Sequence, residues 1–116
     1  MRDDALLQAE AGAAFDAKDY DTFLAKSMEV LKRHPNEPMA LAAVASAYAC
    51  KYAATGLDAH RQEALKYLDS AAQRGQGPEL AEYRQRILHR LQTREIISRE
   101  EFYRRFPLGW KPEGAK

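Results

Sequence analysis

The sequence has a single cysteine, Cys50, and no apolar run that approaches the length of a membrane span. One cysteine rules out an internal disulfide, and a membrane-spanning helix would need about 20 consecutive apolar residues. The first residues include acidic groups where a secretory signal would have a basic start. We therefore expect a cytosolic protein without membrane association.

Valine and isoleucine, which favour strands, are also scarce, whereas the helix-forming residues Ala, Leu, Glu, Gln, Lys and Arg dominate. The chain has 116 residues, of which 46% are hydrophobic and 30% charged, with a net charge of +1. This length provides one domain with one core. The composition predicts an all-α fold.

Apolar periodicity and turn residues predict about six helices in three hairpins. The hairpins cover residues 4–33, 38–75 and 78–106, within a single domain over residues 1–106. Pro35, Pro38 and Pro78 mark the starts of new hairpins. Residues 107–116 are rich in Gly and Pro and are predicted to be an irregular tail, in which Trp110 folds back on the last helices.

The first two hairpins show an internal repeat. The pairs of equivalent positions are Leu7 with Leu41, Ala11 with Ala45, Phe23 with Ala64, and Val30 with Ala71. The first two pairs are 34 residues apart and the last two are 41 apart. A period near 34 is typical of helical solenoids. The extra seven residues are about two helical turns, so we expect one added turn on each arm of the second hairpin.

On these residues the chain resembles the tetratricopeptide repeat family, in which helical hairpins stack into a right-handed superhelix. The segment Lys18-Asp19-Tyr20-Asp21 resembles the family's turn within a repeat, and Pro35-Asn36 resembles its closing turn. Residues Leu41, Ala45 and Tyr48 occupy the large, small and tyrosine positions of its first helix. The resemblance covers residues 4–75, and the third hairpin is then a degenerate or capping repeat.

The resemblance implies a non-catalytic protein-interaction module with a concave groove for a peptide or a helical segment. The groove candidates are Gln8, Gly12, Phe15, Met39, Ala42, Ser46, Ala49, Cys50 and Tyr83. The lysine and arginine clamp that one subclass uses for chaperone tails is not expected, because small or neutral residues occupy its slots. The competing interpretation is that the protein's own last helix or tail fills the groove, through Phe102, Phe106, Leu108 and Trp110.

A second hypothesis starts from the basic C-terminal third, where residues 84–116 hold 9 basic and 4 acidic groups. Arg84, Arg86, Arg90 and Arg94 form a candidate patch for nucleic acid or an acidic partner. A solvated helix face is favoured over nucleic-acid binding, because no recognised nucleic-acid motif accompanies the arginines. Self-association through the end faces of the stack is a variant of the first hypothesis.

The sequence shows no group of residues with the spacing of a known type of catalytic site. The three histidines are far apart, Cys50 has no histidine or asparagine context, and no phosphate-binding glycine loop is present. We expect no metal, no cofactor and no enzymatic activity.

Overall fold

The computed structural model describes residues 3–111, and all regular structure in that range is helical. The six helices are α1 (Asp4–Asp16), α2 (Tyr20–Arg33), α3 (Pro38–Thr55), α4 (Asp58–Arg74), α5 (Pro78–Thr93) and α6 (Arg99–Arg105). The all-α class and the helix number predicted from the sequence are therefore confirmed. Over residues 3–111 none of the helices combines the length and apolarity that crossing a bilayer requires.

The first hairpin is defined by side-chain caps at both helix starts. The carboxylate of Asp3 accepts a hydrogen bond from the Leu6 N–H at 2.7 Å, and Asp19 accepts one from the Thr22 N–H at 3.2 Å. These bonds satisfy amide groups that have no partner inside a helix. Between the helices Lys18 adopts a left-handed conformation, with φ of 62°, which lets the chain reverse over a few residues. The helices α1 and α2 therefore pack side by side.

The second hairpin repeats the first with longer arms. Helix α3 has 18 residues against 13 in α1, and α4 has 17 against 14 in α2. Gly56 ends α3 in a left-handed conformation, with φ of 75°, as Thr55-Gly56 predicts. Helix α4 begins at Asp58, and the preceding Leu57 provides no side-chain cap.

The positions that the repeat interpretation pairs are buried in both hairpins. Leu7 of α1 shares a core cluster with Val30 of α2, and Leu41 of α3 shares one with Ala71 of α4. In each hairpin, therefore, matched residues of the first and second helices belong to one core cluster.

Helix α3 is the centre of the molecule and packs against α2, α4 and α5. Its buried residues lie on all sides of the helix and are small or medium in size: Ala40, Leu41, Ala42, Val44, Ala45, Ser46, Ala47, Ala49, Cys50 and Ala53. Small side chains allow neighbouring helices to approach closely, which is why one helix can be covered by three others.

The third hairpin packs on the second hairpin differently from the way in which the second packs on the first. Helix α5 packs chiefly on α3 and barely contacts α4. It runs in the same direction as α3, since Arg90 reaches Ser46 and, further along both helices, Arg94 reaches Ala53. Ile87 is completely buried in this interface.

The C-terminal residues fold back on α5 around one histidine. His89 is buried, and its ring lies 5.6 Å from that of Phe102, 5.3 Å from Phe106 and 5.2 Å from Trp110. The Trp110 N–H also donates to Oε1 of Gln85 at 3.1 Å. The predicted return of Trp110 is confirmed, and residues 107–111 are irregular. Residues 112–116 of the predicted tail lie outside the described range.

This aromatic cluster makes the stability of the protein dependent on pH. Burial lowers the pKa of His89 from its ordinary value of 6.5, helped by Arg105 and Arg90 and opposed by Glu95. The unfolded chain therefore binds a proton at a higher pH than the folded chain does. We expect the free energy of unfolding to fall as the pH drops below 6.5 toward the pKa of the folded state.

Urea unfolding between about pH 8 and about pH 5, followed by fluorescence, measures this effect. In a His89→Phe variant this component of the pH dependence should disappear. Stability that rises on acidification in the wild type relative to His89→Phe would contradict a neutral, buried His89.

Candidate functional site

A cleft of about 830 Å³ separates the first hairpin and the start of α3 from α5 and the segment that follows it. Its apolar lining residues include Ala11, Phe15, Phe23, Val30, Met39, Ala40, Ala43, Tyr83 and Ile97. Its polar and charged lining residues include Asp4, Gln8, Asp16, Ser27, His34, Glu37, Ser46, Arg86, Arg90, Ser98, Arg99 and Glu100. The cleft thus combines an apolar surface with charged groups of both signs.

Several residues predicted to line the groove lie along this cleft: Gln8, Gly12, Phe15, Met39, Ser46 and Tyr83. Gly12 is exposed in the middle of α1, and a Cβ added there would meet no atom within 4 Å. Glycine is unfavourable inside a helix, so this position sacrifices helix stability and leaves open space in the cleft.

For three residues the prediction that they line the groove is wrong. Ala42, Ala49 and Cys50 are completely buried and present no surface to a ligand. The sequence-based expectation placed one side of α3 on an open concave surface, whereas α5 lies on α3 and Ala42 and Ala49 belong to the core that they share with α4. Cys50 packs against the first hairpin instead, and burial raises the pKa of its thiol to about 11.

The protein's own C-terminal region closes part of the cleft, but not with the residues that the sequence suggested. Ile96, just after α5, packs against the cluster that contains Phe15, and residues 97–100 form a wall of the cleft. Phe102 and Phe106 pack on His89, and Leu108 is fully exposed. The connection between α5 and α6 therefore narrows the cleft and leaves most of it open.

The four arginines of the predicted basic patch do not form one exposed face. Arg84 and Arg94 are both exposed, but Arg94 also lies over the ring of Tyr52 at 5.8 Å and donates to the carbonyl oxygen of Ala53 at 3.4 Å. Arg94 thereby supplies donors near the end of α3, where helix carbonyls lack partners. Arg86 and Arg90 point to the cleft, so the patch is divided among three environments.

Arg90 is the most buried charged side chain among the described residues, with 4% of its surface exposed. One guanidinium nitrogen, Nη1, donates to Oγ of Ser46 at 2.7 Å and to its carbonyl oxygen at 3.2 Å. The guanidinium also lies 5.3 Å from the centre of the Phe15 ring. Arg90 thus connects α5, α3 and α1 at the base of the cleft.

Arg86 lies one turn earlier on the same face of α5 and is partly buried. Its guanidinium is 4.7 Å from the centre of the Tyr83 ring, and burial lowers its pKa. The nearby carboxylate of Glu82 contacts Arg99 instead, at 3.1 Å. No ion pair to Arg86 or Arg90 forms within residues 3–111.

Three side-chain atoms that line the cleft are buried without a hydrogen-bond partner in the described part of the chain. They are Oγ of Ser27, Nε of Arg86 and Nε of Arg90. Buried polar atoms are nearly always paired, because an unpaired one loses its hydration without compensation. The three atoms are closed to solvent, so a ligand in the cleft would contact other atoms of these side chains.

The opposite end of the cleft is fixed by an acidic residue that the sequence did not single out. Asp4 pairs with Arg33 at 3.2 Å and with Nε2 of His34, which ties the start of α1 to the end of α2. The hydrogen bond from His34 and the charge of Arg33 hold the pKa of the Asp4 carboxyl below its usual range. Spacing within one helix gives no signal for such contacts, since the partners are about 30 residues apart.

Comparisons of the chain with protein-family models, with curated proteins and with solved structures find no significant match.

Proposed function

We propose that this chain is a non-catalytic protein-interaction module of the tetratricopeptide type, which binds a peptide or a helical segment in the cleft. The observation that carries the proposal is the open, mixed-polarity cleft of about 830 Å³ between the first hairpin and α5. Ligand sites in proteins are commonly clefts of about 300–1,000 Å³ with an apolar lining and a few directed polar groups.

The lining supports a peptide with apolar anchors. Phe15, Met39 and Tyr83 are spread over α1, α3 and α5, so a bound segment would contact all three hairpins. An amphipathic helix that lays its apolar side into such a groove is a common mode of recognition. The side chain of Met39 is flexible and suits an adaptable apolar contact.

In this proposal the protein is cytosolic, and its role is to bind a partner protein or peptide. The nucleic-acid hypothesis has less support, because only Arg84 of its four arginines is exposed without a described contact. Phosphate binding along a strand needs several exposed cations on one face. Duplex or single-stranded nucleic acid that binds with steep salt dependence, and more weakly on Arg84→Gln, would favour that hypothesis instead.

A Gly12→Trp variant tests the cleft as the binding site. The indole would occupy the open space beside Gly12, and α1 would lose an unfavourable helix residue, so the fold should be kept. We expect peptide affinity to fall about tenfold or more, since removal of a central contact typically has this effect. The probes are peptides selected by the wild-type protein from random sequences of about 12 residues, which span about 18 Å as a helix.

The matched control is Ala13→Trp, which adds the same side chain to the neighbouring exposed position outside the cleft. Calorimetric titration of both variants with the selected peptides gives the affinities, and circular dichroism checks the fold. Equal affinity of Gly12→Trp and Ala13→Trp would show that peptides bind elsewhere.

A further inference from the structure

Two positive charges line the cleft and form no ion pair with any residue between 3 and 111. Arg86 and Arg90 are four residues apart on α5, so they are neighbours on one helix face, and both line the cleft. Like charges at this spacing destabilise a helix. By contrast, Arg33, Arg99 and Arg105 each pair with a carboxylate.

Burial makes the absence of an acidic partner costly. A buried charge is tolerated when it is paired and hydrogen-bonded, and among the described residues Arg90 contacts the neutral Ser46 and the Phe15 ring. The Nε atoms of Arg86 and Arg90 have no hydrogen-bond partner in the part of the chain that the structure describes. Arginine presents its N–H groups as a planar fork that matches the two oxygens of a carboxylate.

We propose that the bound segment carries an Asp or Glu side chain whose carboxylate is held by Arg86 and Arg90. Apolar residues beside it on the segment pack on Phe15 and Met39. This inference rests on the proposed function and specifies the partner: an acidic side chain within an apolar peptide. The anion supplies a negative charge to two arginines that form no ion pair within residues 3–111, and it contacts the parts of these side chains that line the cleft.

A carboxylate fits this cleft better than a phosphorylated side chain. Asp16, Glu37 and Glu100 also line the cleft, and their carboxylates oppose a group of higher negative charge. Like charges that share one site disfavour each other. A phosphopeptide is therefore an outcome that the experiment must distinguish.

The experiment compares Arg86→Gln with Arg84→Gln, using peptides of about 12 residues selected by the wild-type chain from a random displayed library. Arg84 is on the same helix but is exposed and does not line the cleft. We expect the selected peptides to share an acidic position. Exchange of that residue for its amide, or Arg86→Gln, should weaken binding about tenfold or more, because a hydrogen bond to a charged group is lost. Arg84→Gln should leave the affinity unchanged.

Other outcomes separate the two proposals. Peptides that Gly12→Trp blocks, but that lack an acidic residue or ignore Arg86→Gln, would overturn this inference and leave the proposed function standing. Failure to select any peptide that Gly12→Trp blocks would overturn the proposed function itself. Tighter binding when phosphoserine replaces the acidic residue would overturn the choice of a carboxylate.

A second measurement needs no peptide. An arginine whose role is to bind a ligand lowers the stability of the ligand-free protein. An arginine whose role is structural raises that stability. We expect Arg86→Met, which keeps the apolar stem and removes the charge, to melt at a higher temperature than the wild type and to lose peptide affinity. A lower melting temperature would show that Arg86 serves the fold and would overturn the inference.

Discussion

Phe102→Ala is expected to lower the free energy of unfolding by about 3–5 kcal/mol and to release α6 from α5. Phe102 is the largest fully buried side chain of α6, and its ring contacts those of His89, Tyr103 and Phe106. Its removal leaves a cavity beside His89. A short helix of seven residues has little stability of its own, so its position depends on this packing.

Trp110 reports the release directly, because it is the only tryptophan of the chain and packs on His89. Its emission should shift to longer wavelength in Phe102→Ala as the indole becomes solvated, and urea unfolding should give the loss of stability. Leu108→Ala is the control, since Leu108 is in the same segment but fully exposed, and its stability should change by less than about 0.5 kcal/mol. Unchanged emission and stability in Phe102→Ala would contradict the docking of α6.

Ala42→Trp is expected to prevent folding. Ala42 is completely buried on α3, in the core formed with α4 and α5. A few added methylene groups in a packed core already cost about 1–3 kcal/mol, and an indole adds much more volume than that. The total stability of a domain of this size is only about 5–15 kcal/mol.

The neighbouring Ala43→Trp is the matched control, because Ala43 is only partly buried and lines the cleft. It should keep its helical circular dichroism and a cooperative melt, while Ala42→Trp should lack both. A folded Ala42→Trp protein would show that α5 does not cover this face of α3. The core and the cleft are thus distinguished by adjacent residues of one helix.

Local chemistry made the helices predictable. The caps at Asp3, Asp19 and Ser98, and the left-handed end of α3 at Gly56, depend on residues within a few positions of each other. The greater length of the second hairpin was also predictable. The repeat spacing left seven additional residues there, and these were expected to lengthen its two helices. Leu7 and Leu41, which the repeat interpretation pairs, are both buried.

The cleft was only partly predictable. Gln8, Gly12 and Phe15 lie along it, because they share one face of α1 and nothing packs over that face completely. Ala42, Ala49 and Cys50 were expected beside them and are buried instead. The basic patch was expected on one surface, yet Arg94 contacts the end of α3 and Arg90 is in the interior.

The sequence alone determined the six helices, their order and the lengths of the hairpins, because helix formation depends on periodicity, capping and turn residues that are close together in the chain. Only the tertiary structure decided that α5 lies on α3 and not on α4. That choice depends on which apolar faces fit each other at long range, and helical spacing alone does not specify it. It buried the alanine face of α3 and turned Arg86 and Arg90 toward the cleft.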